Sequence, residues 1–525
     1  MTGTWLLVRH YVRRDRWMVL WWALGITLLY WSQAVSVKGL YTTQAEFDRA
    51  AAMMETNTAF VAMAGPARAL NTIGGQVTWQ ATAFGAITVG LMSMFLVVRH
   101  TRAEEETGRD ELLRAAAVGR QATTAATLVV ALLANLLVGA MVALSLVTFP
   151  LAAADSIALG VGLAAVGAVF TGTALLAAQL GSSPRAAYGL TGAVMGAAYV
   201  LRAIGDVGDG TLSWLSPIGW YQGMHAFSGL RWWPVLLLLA AAAATTVGAV
   251  LVFARRDFGA GVLVDRPGPD RAGGLLGTPE GLAWRLQRGS VIGWSAGLFL
   301  TGLSYGSLGD DVGDLMGDSE MSRDLFAQAG GALVDAFYAT AILMLALLAC
   351  GYAVSSAIRP RRDEDEGRVE VLLATGLSRQ RWLLAQVLLT VAGSALVLGA
   401  GGLGLGIGFA LTSGDSGAVG RYFVATLPLL APVLVLSGLA RLLFGVVPRW
   451  TSLAWAGLLF AVVILLFGPL FKMPEWLQDL SPFHHLALVP AEPFRWAPFL
   501  VLGAIAAALS VAGQAAFRRR DVEVR

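Results

Sequence analysis

The chain has 525 residues, of which 56% are hydrophobic and only 14% charged. Its mean hydropathy is +0.66. Soluble domains carry about a quarter charged residues, so this balance excludes a water-soluble globular protein. The formal charge of +3 is spread over the segments between apolar runs rather than gathered in one patch, which excludes a nucleic-acid partner.

A bilayer crossing needs about 20 apolar residues. Stretches that meet or approach this length are 17–37, 69–98, 121–154, 156–184, 186–201 and 232–254, then 289–309, 336–358, 382–414, 422–440, 450–471 and 496–517. The first follows a basic segment (Arg9, Arg13, Arg14, Arg16) and is longer than the roughly 7–15 apolar residues of a signal peptide, so it reads as a retained span. The expected fold is an all-α membrane protein with about twelve crossings and both termini cytoplasmic. Most of the 37 Lys and Arg then fall on the inner side, as the positive-inside rule requires. The acidic loop 310–324 falls outside. Three ionisable residues approach membrane depth, Arg202, Asp335 and Arg441. All lie near span ends, where snorkelling is the expected behaviour. Cys350 is the single cysteine and sits in an apolar run, which excludes an internal disulfide and a cysteine-based metal cluster; it reads as a small buried hydrophobe.

The chain repeats itself. Residues 102–121 align without a gap with 361–380: Arg102, Gly108, Arg109, Glu111, Leu113, Arg120 and Gln121 match Arg361, Gly367, Arg368, Glu370, Leu372, Arg379 and Gln380, and acidic residues 104–106 match 363–365. Leu215-Ser-Pro217 recurs as Leu480-Ser-Pro482, Arg231-Trp-Trp-Pro234 as Arg495-Trp-Ala-Pro498, and Phe253-Ala-Arg-Arg-Asp257 as Phe517-Arg-Arg-Arg-Asp521. Two six-helix units in parallel orientation follow, 1–262 and 280–525, joined by a Pro- and Gly-containing linker at 263–279.

The repeated loops read as amphipathic helices. Glu105 with Arg109, Asp110 with Arg114, and Glu364 with Arg368 stand four apart, acid first, the order that supports an exposed helix. A lone loop of this kind is explained by topology alone. Two matching copies of a Gly, Glu and Arg pattern point instead to docking of a cytosolic partner. Gly401-Gly-Leu-Gly-Leu-Gly-Ile-Gly408 superficially resembles a nucleotide loop, yet it lies in a charge-free run and reads as close helix packing through small residues. A phosphate loop needs Gly-Lys-Ser/Thr; the two lysines, Lys38 and Lys472, are followed by Gly39 and Met473. The five histidines (His10, His100, His225, His484, His485) have no zinc-site spacing. The connectors 206–232 and 472–496, rich in Trp and Pro, read as re-entrant or interfacial helices or as aromatic belts. Trp22, Trp79, Phe84, Trp294 and Phe337 are candidates to line an apolar substrate cavity.

An acidic cluster followed by Gly, Arg, x, Glu, x-Leu, between the second and third spans of both halves, resembles the coupling-helix region of type-2 ABC exporter permeases. With the Ser-Pro elements before each sixth span and the fused length, the whole chain looks like the actinobacterial permeases described as polyketide-antibiotic and multidrug exporters. The resemblance implies a bacterial plasma-membrane transport subunit, itself not an enzyme, which moves hydrophobic or amphipathic compounds outward. Two copies of a separate cytosolic ABC ATPase would hold ATP and Mg, this chain binding no cofactor. It further implies docking by Glu104, Glu105, Gly108, Arg109, Glu111 and Arg120, and by Asp363, Glu364, Gly367, Arg368, Glu370 and Arg379. One departure is that related half-size permeases often place Pro in the turn after the coupling helix, where this chain has Ala117 and Gly376. The alternative is a secondary drug/proton antiporter of major facilitator type, which also has twelve spans in two parallel repeats.

Overall fold

Within a bilayer, backbone N–H and C=O groups find partners only in protein, and the helix satisfies them locally. The computed structural model describes residues 2–40, 43–56, 58–109, 111, 115, 118–149, 151–256, 261–263, 270–307, 320–467 and 473–521. Among these, every regular element is helical. Among the described residues eleven helices are long and apolar enough to cross a membrane, and the chain is an all-α, multi-pass membrane protein.

Two compact units divide the chain, Met1–Pro267 and Gly268–Arg525. The first contains α1 (Thr4–Leu40), α2 (Ile73–His100), α3 (Arg102–Glu106), α4 (Ala122–Thr148), α5 (Ala153–Leu180), α6 (Pro184–Val207), α7 (Pro217–Gln222) and α8 (Pro234–Arg255). Two short helices, Gln44–Thr56 and Thr58–Ala64, precede α2. The second contains α9 (Pro279–Gly306), α10 (Glu320–Asp365), α11 (Arg368–Leu373), α12 (Arg379–Ser413), α13 (Ala418–Thr426), α14 (Leu430–Val446), α15 (Ala454–Phe467), α16 (Glu475–Gln478) and α17 (Trp496–Arg519).

The same packing recurs in each unit. The first span lies along the third (α1 on α4, α9 on α12), the fourth along the sixth (α5 on α8, α14 on α17), and the second span packs on the fourth (α2 on α5, α10 on α14). The second span is mostly buried inside its unit, whereas the sixth is mostly exposed.

The crossing expected at 289–309 is α9, helical to Gly306 but not among the eleven. Its glycines and serines dilute its apolar content, and the glycines are used for packing. A Cβ at Gly404 would lie 2.0 Å from the Phe299 carbonyl oxygen, one at Gly408 2.3 Å from that of Leu303, and one at Gly302 2.1 Å from that of Gly401. Gly404 and Gly408, with the Gly401 carbonyl, thus form a backbone-to-backbone helix seam with α9, as small-residue packing requires. Cys350 is fully buried in the core of the second unit.

Two expectations change. Arg202 and Arg441 do not snorkel: each is buried within its unit, at 0% and 3% exposure. Arg202 pairs with Asp206 at 3.3 Å, donates to the Met63 carbonyl at 3.0 Å and stacks over Tyr199, and Arg441 donates to Ser510 Oγ at 2.9 Å. Protein groups inside the bundle replace the interfacial water a snorkelling side chain would seek. Asp335 is half-buried. The connectors also differ. In the first, Ser216 caps α7 and donates to the Ala198 carbonyl at 2.7 Å, and Tyr221 of α7 reaches Tyr30 and the Leu159 carbonyl. In the second, the helix α16 comes before Leu480-Ser-Pro482, which lies in turns. Of the acidic loop 310–324, residues up to 319 lie outside the described residues, and α10 begins at Glu320.

Candidate functional site

The repeated loops lie at the basic end of each unit, where the arginine-rich ends of the first, second and sixth spans meet. Neither loop is one continuous helix. Gly108 and Gly367 both adopt φ +71°, a left-handed conformation that a side chain disfavours. The helix stops before each glycine and restarts after it, α11 beginning at Arg368. The break redirects the ion pairs expected from four-residue spacing. Glu105 pairs with Arg102 at 2.8 Å and with Arg256. Glu364 pairs with Arg361 and, through both carboxylate oxygens, with Arg520 at 2.6 and 2.7 Å. Arg368 pairs with Asp363 at 3.3 Å and with Glu366. The pair expected between Asp110 and Arg114 lies outside the described residues, as does Leu113.

This arrangement is a clamp, and both units build it from matching residues. Arg256 and Arg520 come from the end of the sixth span. Each holds the aligned glutamate of the loop, and each offers its backbone carbonyl to a third arginine: Arg120 donates to Arg256 O at 3.4 Å and Arg379 to Arg520 O at 2.7 Å. Phe253 and Phe517, one turn earlier, lie under the clamp guanidiniums at 5.5 and 5.0 Å. Arg102 is fully buried and donates to the Ala178 and Gln179 carbonyls, and Arg256 donates to Gln179 Oε1 at 2.7 Å. The first unit adds an ion pair from Arg14 in α1 to Glu104. In the second, Asp363 faces Arg359 as well as Arg368.

The twelve residues expected to dock a partner therefore divide. Glu104, Asp363 and Glu364 are buried, at 6%, 5% and 1% exposure, and the Glu105 side chain is 9% exposed. Ion pairs within the chain occupy these carboxylates, since a carboxylate out of water requires a cation. Gly108 and Gly367 form the bends. Arg109, Glu111, Arg120, Arg368 and Glu370 are exposed, with Arg379 half-buried. Val371 beside them is 71% exposed. The sequence did not identify Arg256 and Arg520 as clamp residues, although the recurring Phe-x-Arg-Arg-Asp marks both.

Beside the clamp the units diverge. Aligning Arg16 with Arg288 places Gln287 opposite Asp15. In the first unit Asp15 is buried against His100 and lies 3.3 Å from Arg99, with Tyr11 stacked on His100 at 4.0 Å. In the second, Gln287 donates to Gln386 at 2.8 Å and accepts from Ser356 at 2.8 Å, a neutral network in place of a titratable pair.

The five aromatics expected to line a substrate cavity take different surroundings within their own units. Trp22 lines a groove of about 390 Å³ with Trp21, Gly25, Ile26, Leu29 and Thr88. Trp294, its repeat partner, lines one of about 450 Å³ with Gly293, Gly297, Leu298, Thr301 and Leu348. Trp79 is 7% exposed and donates to the Gly65 carbonyl at 2.7 Å. It borders a small cavity with Arg68, Gln222 and His225. There burial, then the charges of Arg68 and Arg231, pull the His225 imidazole down to about 4, so it is neutral at physiological pH. Phe84 is 41% exposed; five residues along α2 turn it roughly 140° away from Trp79. Phe337 packs edge-on against Tyr338.

A family model described as "Multidrug efflux system permease Rv1217c, C-terminal domain" matches residues 11–254 and 276–518, one segment in each unit. The chain belongs to this family. It is 41% identical over 525 residues to the multidrug efflux system permease protein Rv1217c of Mycobacterium tuberculosis (strain ATCC 25618 / H37Rv), covering 99% of this chain and 95% of that protein. The matched segments contain both repeated loops and both connectors, and end at residues 254 and 518, just short of Arg256 and Arg520.

Proposed function

We propose that the chain is the membrane permease of an ATP-driven exporter for hydrophobic or amphipathic, drug-like compounds in a bacterial plasma membrane. Two copies of a separate cytosolic ATPase, carrying ATP and Mg, dock at the basic ends of the two units. The observation that carries this reading is the repeated clamp. It fixes one surface segment per unit to the end of the sixth span and leaves Arg109 and Glu111, or Glu370 and Val371, exposed where a partner can meet them. Positive-inside topology puts these segments in the cytosol. The chain lacks the Gly-Lys-Ser/Thr of a phosphate loop, so its partner supplies hydrolysis. The buried Glu104, Glu105, Asp363 and Glu364 position the docking segments, and Gly108 and Gly367 set their angle.

The test is co-purification of the tagged chain with the ABC ATPase encoded beside it, comparing wild type with Glu111→Arg, Glu370→Arg. Both side chains are exposed, so the variant is expected to insert and fold normally, to lose the ATPase, and to lose drug-stimulated hydrolysis. Retention of full stimulation by the variant removes the docking assignment. One observation favours a proton-coupled antiporter, the buried Asp15–His100 pair in the first unit. If wild type recovers no ATPase yet moves a dye down a proton gradient, and Asp15→Asn stops it, that reading replaces the exporter.

A further inference from the structure

The internal repeat supplies a control for a groove found in the second unit. At the end remote from the clamp, α14, α17 and the connector before α17 enclose about 530 Å³, within the roughly 300–1,000 Å³ of small-molecule sites. Its walls are apolar: Val435 from α14, Pro482 from the connector, and Val501, Leu502 and Ile505 from α17. Two polar residues, Asp479 and His485, stand among them. His485 Nε2 donates to the Asp479 backbone carbonyl at 2.7 Å, and His484 Nδ1 lies 3.1 Å from Asp479 Oδ1. The Asp479 side chain remains 54% exposed, and among the described residues Oδ2 has no hydrogen-bond partner.

The aligned place in the first unit is filled. The repeats Leu215-Ser-Pro217 with Leu480-Ser-Pro482, and Arg231-Trp-Trp-Pro234 with Arg495-Trp-Ala-Pro498, put Trp214 at Asp479, Trp220 at His485 and Trp233 at Ala497. Trp214 and Trp233 stack at 5.1 Å, and Trp220 Nε1 donates to the Trp214 carbonyl at 2.6 Å. Three indoles thus pack together where the second unit has a carboxylate, an imidazole and a methyl group. The second unit thus lacks the indole filling and carries a negative charge at the same positions.

We propose that this groove binds amphipathic cations of drug size, the apolar body lying against α14 and α17 and the positive head at the Asp479 carboxylate. An apolar wall with one acid at its rim selects by charge sign as well as by hydrophobicity. On positive-inside topology the groove opens at the outer surface, where a cation leaving the membrane meets it. As a station for exported cargo the groove rests on the permease reading, but as a binding site it belongs to the chain alone and is tested without an ATPase.

The experiment is equilibrium dialysis of the purified full chain in lipid nanodiscs with tetraphenylphosphonium and with its anionic counterpart tetraphenylborate, which share shape and differ in charge. Wild type is expected to favour the phosphonium. Asp479→Asn, close to isosteric, weakens it about 2- to 5-fold and improves the borate. Ala497→Trp, which reinstates the first unit's residue, removes the Asp479-dependent binding while its melting temperature shows the fold intact. Unchanged phosphonium binding in both variants overturns the proposal, as does equal binding of the two ions by wild type. If Asp479→Asn instead releases co-purified phosphatidylethanolamine with phosphonium binding unaffected, the occupant is a lipid amine and the proposal also fails. None of these outcomes bears on ATPase docking, so the two readings fail separately.

Discussion

Replacing Glu364 by Gln, or Arg520 by Gln, is expected to cost about 3 kcal/mol, while the double replacement costs less than the sum of the two. Glu364 has no exposed side-chain surface and Arg520 only 16%, so each single change leaves a charge of the other sign in a site built for a pair. The bidentate geometry supplies fixed direction as well as attraction. Arg361, 3.6 Å from Glu364, keeps part of the compensation when Arg520 is lost, so Arg520→Gln is the milder of the two. A coupling of about 2 kcal/mol between the positions is the expected scale for neighbours in one network. Thermal unfolding in detergent reads it: each single variant melts several degrees lower, and the double variant recovers part of the loss. If the two losses simply add, the side chains do not share an interaction and the clamp is not a unit. The same cycle on Glu105 and Arg256 should give a smaller coupling, because Arg256 also holds Gln179 and the Glu105 side chain is less deeply buried. On the exporter reading, these variants also lower drug-stimulated hydrolysis while the ATPase stays bound, since the docking surface remains but its tie to the sixth span is cut.

The duplication and the spans were legible because their signals are local. A gapless match over 102–121 and 361–380 needs no structure, and charge-free runs of membrane length permit little besides helices. α9 shows the limit of hydropathy: its glycines reduce apolar content while making a backbone-to-backbone helix contact possible. The clamp was illegible for a different reason. Four-residue spacing is a rule for an unbroken helix, and it directed Glu105 to Arg109 and Glu364 to Arg368. Gly108 and Gly367 break the helix between those residues, and the partners that take over lie 151 and 156 residues away. The matching Phe-x-Arg-Arg-Asp sequences identified both arginines as repeated without saying what they touch. Arg202 and Arg441 misled similarly, because position along a span predicts depth but not which side of the helix faces protein. The outer groove was hidden for the opposite reason, since it arises where the two halves differ, and matching residues had drawn the comparison.

Gly404→Ala is expected to have the larger effect on assembly, preventing accumulation of folded protein, whereas Gly297→Ala on the opposing helix is expected to be silent. The physical difference is what a single methyl group meets. At Gly297 nothing lies within 4 Å, while at Gly404 the methyl carbon would sit 2.0 Å from the Phe299 carbonyl oxygen and 3.0 Å from the Leu303 nitrogen. Both are backbone atoms, so no rotamer change relieves the clash, and the helices must separate by an ångström or more. The neighbouring contacts at Gly302, Gly306 and Gly408 are as short, so separation at one level opens the whole seam. Overpacking by a methylene ordinarily costs about 1–3 kcal/mol. Here the loss extends along the seam, because in lipid helix association rests on such close van der Waals contact rather than on hydrophobic burial. Size-exclusion profiles of detergent extracts decide the matter. A monodisperse peak for Gly297→Ala beside aggregate or absent protein for Gly404→Ala is the expected pair, and equal peaks would mean that α9 and α12 do not depend on this contact. The low hydropathy of α9 would follow from that dependence: a span selected to lie backbone against backbone gives up the large apolar side chains that would otherwise anchor it in lipid.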